Sequence, residues 1–405
     1  MYKNPATLDH EARAIVDAYA GKSLSSKDKA TIPVQDMPSQ RSDRRIHNME
    51  EVALGYTENE VRAEAMRCLQ CKNKPCTEGC PVSIDIPAFI AEAAKGHYED
   101  ALSVINKSSL LPAICGRVCP QENQCQKFCT VGKINKSVDK SVAIGRIERY
   151  VADWCRDFDV EPIPEVAAPS GKKVCVVGTG PASISAAADL RKAGHAVVMF
   201  EALHKAGGVL SYGIPEFRLP KKIVAHELEK LVKMGVKVEL NYLVGRTRTL
   251  RQLMDEDGYD AIFIGTGAGL PKFMHIPGEN AVGVFSANEY LTRANLMKAY
   301  DVQNAATPMY PAKRVAVFGG GNVAMDSARM ARRLGADVVD VIYRRTEEEM
   351  PARKEEVAHA KEEGITFRFL HNPVAVEYTQ DKFQKVTGVR MIRCELGEPD
   401  ASGRR

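Results

Sequence analysis

Along the second half of the chain, one arrangement of apolar and polar positions occurs twice. Lys173-Val-Cys-Val-Val-Gly178 is a short apolar, β-rich run that meets a glycine turn. Pro181 to Ala193 is alanine-rich and helical in character, and Ala196-Val-Val-Met-Phe-Glu201 is a second apolar run. Strand, turn, helix and strand in that order predict a βαβ unit. Arg314-Val-Ala-Val-Phe-Gly319, the helical stretch after Gly321 and Val338-Val-Asp-Val-Ile-Tyr343 predict another. The first part reads instead as short helices between loops, with Glu58-Asn-Glu-Val-Arg-Ala-Glu-Ala65 leading into Cys68. The segment Glu161-Pro-Ile-Pro-Glu-Val-Ala-Ala-Pro-Ser-Gly171 carries three prolines, which favour an extended connection. The expected organisation is a helical domain over residues 1–160, a first dinucleotide domain over 170–280 and a second over 281–405. The fold class is α/β.

Composition narrows the function. With 405 residues, 44% apolar and 27% charged, the chain has the makings of soluble cores, and a net charge of +4 is too small and dispersed for a nucleic-acid partner. Asp9, His10, Glu11, Arg13 and Asp17 break any signal-peptide core. No run approaches the about 18 apolar residues of a membrane helix. These features predict a cytoplasmic protein with no membrane contact of its own.

Eight of the eleven cysteines fall into two runs, Cys68-x2-Cys71-x4-Cys76-x3-Cys80-Pro81 and Cys115-x3-Cys119-Pro120-x4-Cys125-x3-Cys129. In a reducing cytosol such density favours metal ligands over disulfides. Each cysteine-proline pair is that of a ferredoxin binding run, where the cysteine before proline serves the other of two iron-sulfur clusters. Zinc is the competing metal; its sites also use C-x2-C pairs but return a second pair at a longer interval.

The glycine turns carry a second chemistry. Gly178-Thr-Gly180-Pro181-Ala182-Ser183 nearly matches G-x-G-x-x-G, in which the first glycine permits the turn and the second lets backbone approach a pyrophosphate at the helix N-terminus. Serine in third place needs slightly more room where helix and strand cross. Glu201 closes the second strand, where a carboxylate accepts bonds from an adenosine ribose and excludes a 2′-phosphate, which suits FAD or NAD. The second copy, Gly319-Gly-Gly321-Asn322-Val323-Ala324, ends its following strand in Tyr343-Arg344-Arg345. Guanidinium groups there suit the 2′-phosphate of NADPH. The competing assignment is a solvated arginine pair answered by Glu347, Glu348 and Glu349.

These segments, together with Arg67-Cys-Leu-Gln-Cys71, Gly79-Cys-Pro-Val82, Gly207-Gly-Val-Leu210, Tyr212-Gly-Ile-Pro-Glu-Phe-Arg-Leu-Pro220 and Ile264-Gly-Thr-Gly267, carry a resemblance over nearly the whole chain. The sequence resembles the small subunit of NADPH-dependent glutamate synthase. It is equally similar to the NADPH-side subunit of electron-bifurcating ferredoxin-NADP transhydrogenase and to the related sulfide dehydrogenase subunit. The N-terminal half of dihydropyrimidine dehydrogenase is a further relative. The resemblance implies an N-terminal helical domain with two 4Fe-4S clusters followed by two Rossmann-like domains. It implies crossed ligands: Cys68, Cys71, Cys76 and Cys129 for one cluster, and Cys80, Cys119, Cys125 and Glu148 for the other, with Cys115 a bystander. It also implies FAD contacts from Gly207, Gly208, Leu210, Arg218, Thr266 and Gly267, and places Arg353 with Arg344 and Arg345 near the NADPH phosphate.

The function so implied passes electrons from NADPH through FAD and the clusters to a partner: a large glutamate synthase subunit, or a small flavoprotein or ferredoxin-type subunit. No catalytic acid, base or nucleophile is expected. Position 2 is Tyr2, not the N-terminal cysteine of a glutaminase, so glutamate chemistry would belong to a separate large subunit. A non-catalytic electron relay is the alternative. Family members close the flavin domain with a Gly-Gly-Asp segment, and this chain stops at Gly403-Arg-Arg405 before one. The expectation is therefore a fragment whose flavin domain is incomplete and holds FAD poorly.

Overall fold

The computed structural model describes residues 3–307, 309, 312–399, 401 and 405, so Tyr2 and Gly403, on which two of these expectations rest, lie outside the described residues. The chain divides into two compact units. The first contains the residues up to Arg41, Glu51–Gly207 and Arg218–Thr266. The second contains Ser42–Glu50, Gly208–Phe217 and the chain from Gly267. The expected boundary near residue 160 falls inside the first unit.

The first unit opens with short helices, as the broken apolar pattern predicts. Glu58–Met66 starts in a capping box, with Glu60 N–H donating to Thr57 Oγ1 at 3.3 Å and Thr57 N–H to Glu60 Oε2 at 2.7 Å. Ile86–Lys95, Tyr98–Asn106 and Ile144–Asp157 bury their apolar faces with it in one core around Val61, Phe89, Ile90, Leu102, Ile147 and Val151.

Within this unit a buried ion pair joins distant segments. Glu64 and Arg67 are no more than 1% exposed and pair with one another. Glu64 also accepts the N–H groups of Gln35 and Ala143, both at 2.8 Å. Arg67 donates to Ile32 O at 3.0 Å, Ser141 O at 2.8 Å and Lys140 O at 2.6 Å. Every strong polar group is thus answered, the condition on which a buried pair is tolerable.

A parallel sheet follows in the order β3-β2-β1-β4, with β1 Lys173–Val177, β2 Ala196–Phe200, β3 Lys237–Glu239 and β4 Ala261–Ile264. The proline-rich link before it is non-helical, and Glu161 on it pairs with Lys230 at 2.7 Å and His226 at 2.6 Å. β4 carries exposed Phe263 and Ile264.

The second unit holds the parallel strands β5 Arg314–Phe318, β6 Val338–Tyr343 and β7 Thr366–Phe369 in sequential order. An antiparallel hairpin, β8 His371–Tyr378 with β9 Val386–Arg393, completes it. Asn322–Arg333 packs on β5 and β6 through Met325, Ala328 and Ala331. No helix among the described residues is long and apolar enough to cross a membrane.

Two outcomes follow from the buried acids. Burial pushes the Glu60 carboxyl up to about 7, against the bonds it accepts from Thr57. Its folded pKa is raised above the unfolded 4.5, so its favourable contribution is complete at low pH and is lost as pH rises through about 7. Glu60→Gln should therefore match the wild type in urea unfolding at about pH 5 and be the more stable protein at about pH 8; equal stability at both would refute the burial argument. Arg67→Ala leaves the Glu64 charge alone and should lower stability by about 3–5 kcal/mol, read from the denaturant midpoint of the helical signal. The double change Glu64→Leu with Arg67→Met should recover most of that loss.

Candidate functional site

The first cysteine run leaves the Glu58–Met66 helix at Cys68 and bends twice, with Gln70 at φ 53° and Lys74 at φ 39°. The bends fold Cys68, Cys71 and Cys76 back around a short turn of helix, Pro75–Glu78. Cys129, the last cysteine of the second run, joins them. All four line one partly open cavity, walled otherwise by apolar groups including Leu69, Ile86, Ile90, Val142 and Ile144. Cys80, five residues beyond the start of Pro75–Glu78, does not line it.

Charge inside this cavity is unfavourable unless a cation is supplied. Burial, reinforced by neighbouring cysteines, pushes the Cys68 thiol up to about 11 and the Cys76 thiol up to about 12. Thiols gathered in such a place complement a cationic metal group, which reverses the same electrostatics. The residues present fit an iron-sulfur cluster.

A second group forms around the Ile144–Asp157 helix. Pro112–Val118 crosses it closely because Gly116 has no side chain: a Cβ there would sit 2.7 Å from the Arg149 nitrogen and from Gly145 O. That crossing brings Cys115 and Cys119 to Glu148. The Glu148 carboxyl is buried and held far above the usual carboxylate range, by burial first and by Cys119 second. Its Oε1 has no hydrogen-bond partner among the described residues. Cys125 is pushed up by burial, then by Glu148 and Cys80, which places Cys80, Cys119, Cys125 and Glu148 in one neighbourhood. A buried carboxylate oxygen without a hydrogen-bond partner, among thiols, has the chemistry of a metal donor set, and these residues fit an iron-sulfur cluster. Cys115 is there too, raised by its hydrogen bond with Cys119, by burial and by Glu148.

The first glycine turn is organised by a residue that its motif leaves unspecified. Gly178 has φ 95°, and Gly180 caps the Pro181–Lys192 helix. Between them Thr179, fully buried, donates its hydroxyl to Glu201 and accepts Gly207 N–H at 3.0 Å. Glu201 also accepts Thr179 N–H at 3.1 Å and Leu203 N–H at 3.0 Å. Thr179 therefore draws Gly178, Gly180, Glu201 and Gly207 together. Pro181 and Ala182 begin the helix, and no residue lies within 4 Å of a Cβ built on Gly180, so the helix N-terminus is open. The extra room that Ser183 needs comes from Gly265, whose carbonyl accepts the serine hydroxyl at 3.3 Å. Arg218 is buried and Thr266 exposed in the same unit; Gly208, Leu210 and Gly267 belong to the second.

In the second unit Gly319 turns at φ 131°, and Gly321 caps Asn322–Arg333, where Val323 is exposed and Ala324 buried. Gly320 must be glycine, since a Cβ would lie 2.8 Å from the Tyr343 ring. Asn322 Oδ1 accepts the Arg353 N–H at 2.9 Å, and Gly320 O accepts Ala352 N–H at 3.1 Å, so the Arg353 turn is fastened to the glycine turn. Arg344 is exposed and Arg345 half-buried, and neither makes an ion pair among the described residues. Of the three glutamates that were candidates to answer them, Glu347 is engaged with Lys361 at 2.6 Å and Glu349 with Thr346, and Glu348 makes no ion pair among the described residues.

Comparison with known proteins agrees with both halves. Residues 45–160 match the family model described as dihydropyrimidine dehydrogenase domain II, 4Fe-4S cluster, and residues 172–396 match pyridine nucleotide-disulphide oxidoreductase. The glutamate synthase [NADPH] small chain of Escherichia coli is 36% identical over 92% of this chain and 78% of its own length. The NADP(+)-dependent formate dehydrogenase subunit beta of Moorella thermoacetica is 39% identical over 82% of this chain and 47% of its own, and the NADPH-Fe(3+) oxidoreductase subunit beta of Geobacter sulfurreducens 34% identical over 93% and 53%. FAD, NADPH and 4Fe-4S clusters are the cofactors of such a chain. The protein belongs to the oxidoreductase family of the glutamate synthase small chain, an iron-sulfur domain of the dihydropyrimidine dehydrogenase type joined to a pyridine nucleotide-disulphide oxidoreductase domain.

Proposed function

We propose that the chain takes electrons from NADPH and delivers them to a partner protein, and that the partner is a large glutamate synthase subunit. The observation that carries the electron path is the gathering of Cys68, Cys71, Cys76 and Cys129, from two separate runs, around one apolar cavity. Bound flavin would supply the conversion of a two-electron donor into single electrons that iron-sulfur clusters carry.

The chain's own residues do the positioning. Cys68, Cys71, Cys76 and Cys129 would hold one 4Fe-4S cluster, and Cys80, Cys119, Cys125 and Glu148 the other. Gly178, Gly180 and the helix N-terminus at Pro181 and Ala182 would take the FAD pyrophosphate, with Glu201 toward its ribose and Gly207, Gly208, Leu210, Arg218, Thr266 and Gly267 along the flavin. Gly319, Gly321 and Asn322 to Ala324 would take the NADPH pyrophosphate. Arg344, Arg345 and Arg353 would meet its 2′-phosphate, a role supported by the absence of an ion pair on Arg344 and Arg345 among the described residues. The apolar wall of the first cavity, from Leu69, Ile86 and Ile90, keeps water from the cluster and so sets the dielectric around it. No side chain is asked to act as acid, base or nucleophile.

Glutamate synthase is favoured as the destination because that small chain is matched over 92% of this sequence and 78% of its own. Mixing the anaerobically isolated chain with a candidate large subunit and measuring NADPH- and glutamine-dependent glutamate formation tests it. Binding without turnover would sink this partner and leave the electron path standing.

Two further outcomes are expected. Anaerobically purified wild type should hold about eight iron atoms per chain, Cys129→Ala about four, and Cys115→Ala the wild-type number; zinc in place of iron and sulfide would end the cluster reading. Arg344→Ala with Arg345→Ala should raise the KM for NADPH roughly ten- to hundredfold, the value of lost charge-assisted bonds, and leave that for NADH unchanged.

A further inference from the structure

Ser42–Glu50 leaves the first unit, packs into the second and is followed by a return to the first. Its anchor is Arg45, 1% exposed. Arg45 Nε donates to Glu363 Oε1 at 2.8 Å, and Nη2 donates to Glu362 Oε2 at 2.8 Å and to His359 O at 3.1 Å. Glu363 is the centre of this group. It also receives Arg329 Nη2 at 2.9 Å and Arg333 Nη1 at 2.7 Å, while Arg329 pairs in addition with Glu356. Both arginines lie over the ring of buried Phe217, their guanidinium carbons 4.8 and 3.9 Å from its centre.

The helices that meet here are the two whose other ends carry the proposed NADPH contacts. Asn322–Arg333 starts at the second glycine turn and finishes with Arg329 and Arg333; Lys354–Glu362 starts after Arg353 and finishes beside Glu363. At their N-terminal ends the pair is fastened by Asn322 Oδ1 and Arg353 N–H at 2.9 Å. At their C-terminal ends it is fastened by Glu363. Helices are stiff over such lengths, so a change in how the C-terminal ends are held alters where Arg353 stands relative to the glycine turn.

We propose that Arg45 is a positioning residue for the nucleotide's 2′-phosphate: by closing the Glu363 cluster from a segment distant in sequence, it holds Arg353 at the spacing from the glycine turn that a 2′-phosphorylated adenosine requires. This rests on the reading of the second unit as the NADPH site. The charge balance makes the idea testable. Arg45, Arg329 and Arg333 face buried Glu356 and Glu363, with Glu362 half-exposed at the rim. Removing Arg45 leaves Glu363 with Arg329 and Arg333 and Glu356 with Arg329, beside which buried Asp326 also lies, so neither buried glutamate loses its last arginine and the unit should still fold. Removing Glu363 would strand three guanidinium groups and is the wrong test.

The experiment titrates wild type, Arg45→Ala and Arg45→Lys with 2′,5′-ADP and with 5′-AMP, which differ by the 2′-phosphate alone, and follows thermal unfolding in parallel. Arg45→Ala should weaken 2′,5′-ADP about tenfold and 5′-AMP by less than about twofold, with Tm lower by only about 2–4 °C. Arg45→Lys, which keeps the charge without the fork, should fall between. An unchanged ratio of the two dissociation constants in Arg45→Ala, or an equal loss of both ligands, would overturn the proposal. A wild type that does not prefer 2′,5′-ADP would overturn the NADPH reading itself and the proposal with it.

Discussion

The Glu64–Arg67 pair is the constraint on which the cysteine domain depends. Arg67 immediately precedes Cys68, and the pair bonds to backbone at residues 32, 35, 140, 141 and 143. Ala143 caps the helix that carries Glu148. One buried ion pair therefore fixes the start of the first cysteine loop relative to the helix of the second thiol group. Short helices with little apolar area need such a tie, since their own cores are small. The tie also explains why the cysteine runs interleave: with the backbone on both sides held, Cys129 closes the first group and Cys80 turns toward the second.

Much of this was legible in the sequence because the chemistry is local there. The spacing of the cysteines and the alternation of apolar runs with glycine turns are properties of a few consecutive residues, and β1, β2, β5 and β6 follow the predicted strands closely, whereas β3, β4, β7 and the β8–β9 hairpin carried no such local pattern. Relations between distant residues were not legible. Thr179 sits at an unspecified position between two glycines, yet it joins Glu201 to Gly207; nothing in the turn motif signals a hydroxyl. The room for Ser183 is provided by Gly265, more than eighty residues on. Glu64 stood only within a short helical stretch and Arg67 only at the head of a cysteine segment, and it is their burial that reveals their role. Glu347 and Glu349 looked like partners for Arg344 and Arg345, but a lysine and a threonine take them first.

The two kinds of site use opposite electrostatics. The cavity of the first thiol group is apolar and discourages charge, so that a metal group there would meet donors with little competing solvation. The glycine turns present open helix N-termini, and Arg344 and Arg345 stand there without ion-pair partners among the described residues. The buried carboxylates Glu64 and Glu363 are met by arginines, whereas Glu148 Oε1 has no hydrogen-bond partner among the described residues.

The chain crosses between its units at Arg41/Ser42, Glu50/Glu51, Gly207/Gly208, Phe217/Arg218 and Thr266/Gly267. A gene segment beginning at Gly267 would encode both β-structures of the nucleotide unit and lack Arg45 and the aromatic shelf of Phe217. Its arginines would then face water or one another across an unfilled gap. A single continuous stretch of coding sequence therefore does not encode this unit; three separated stretches do.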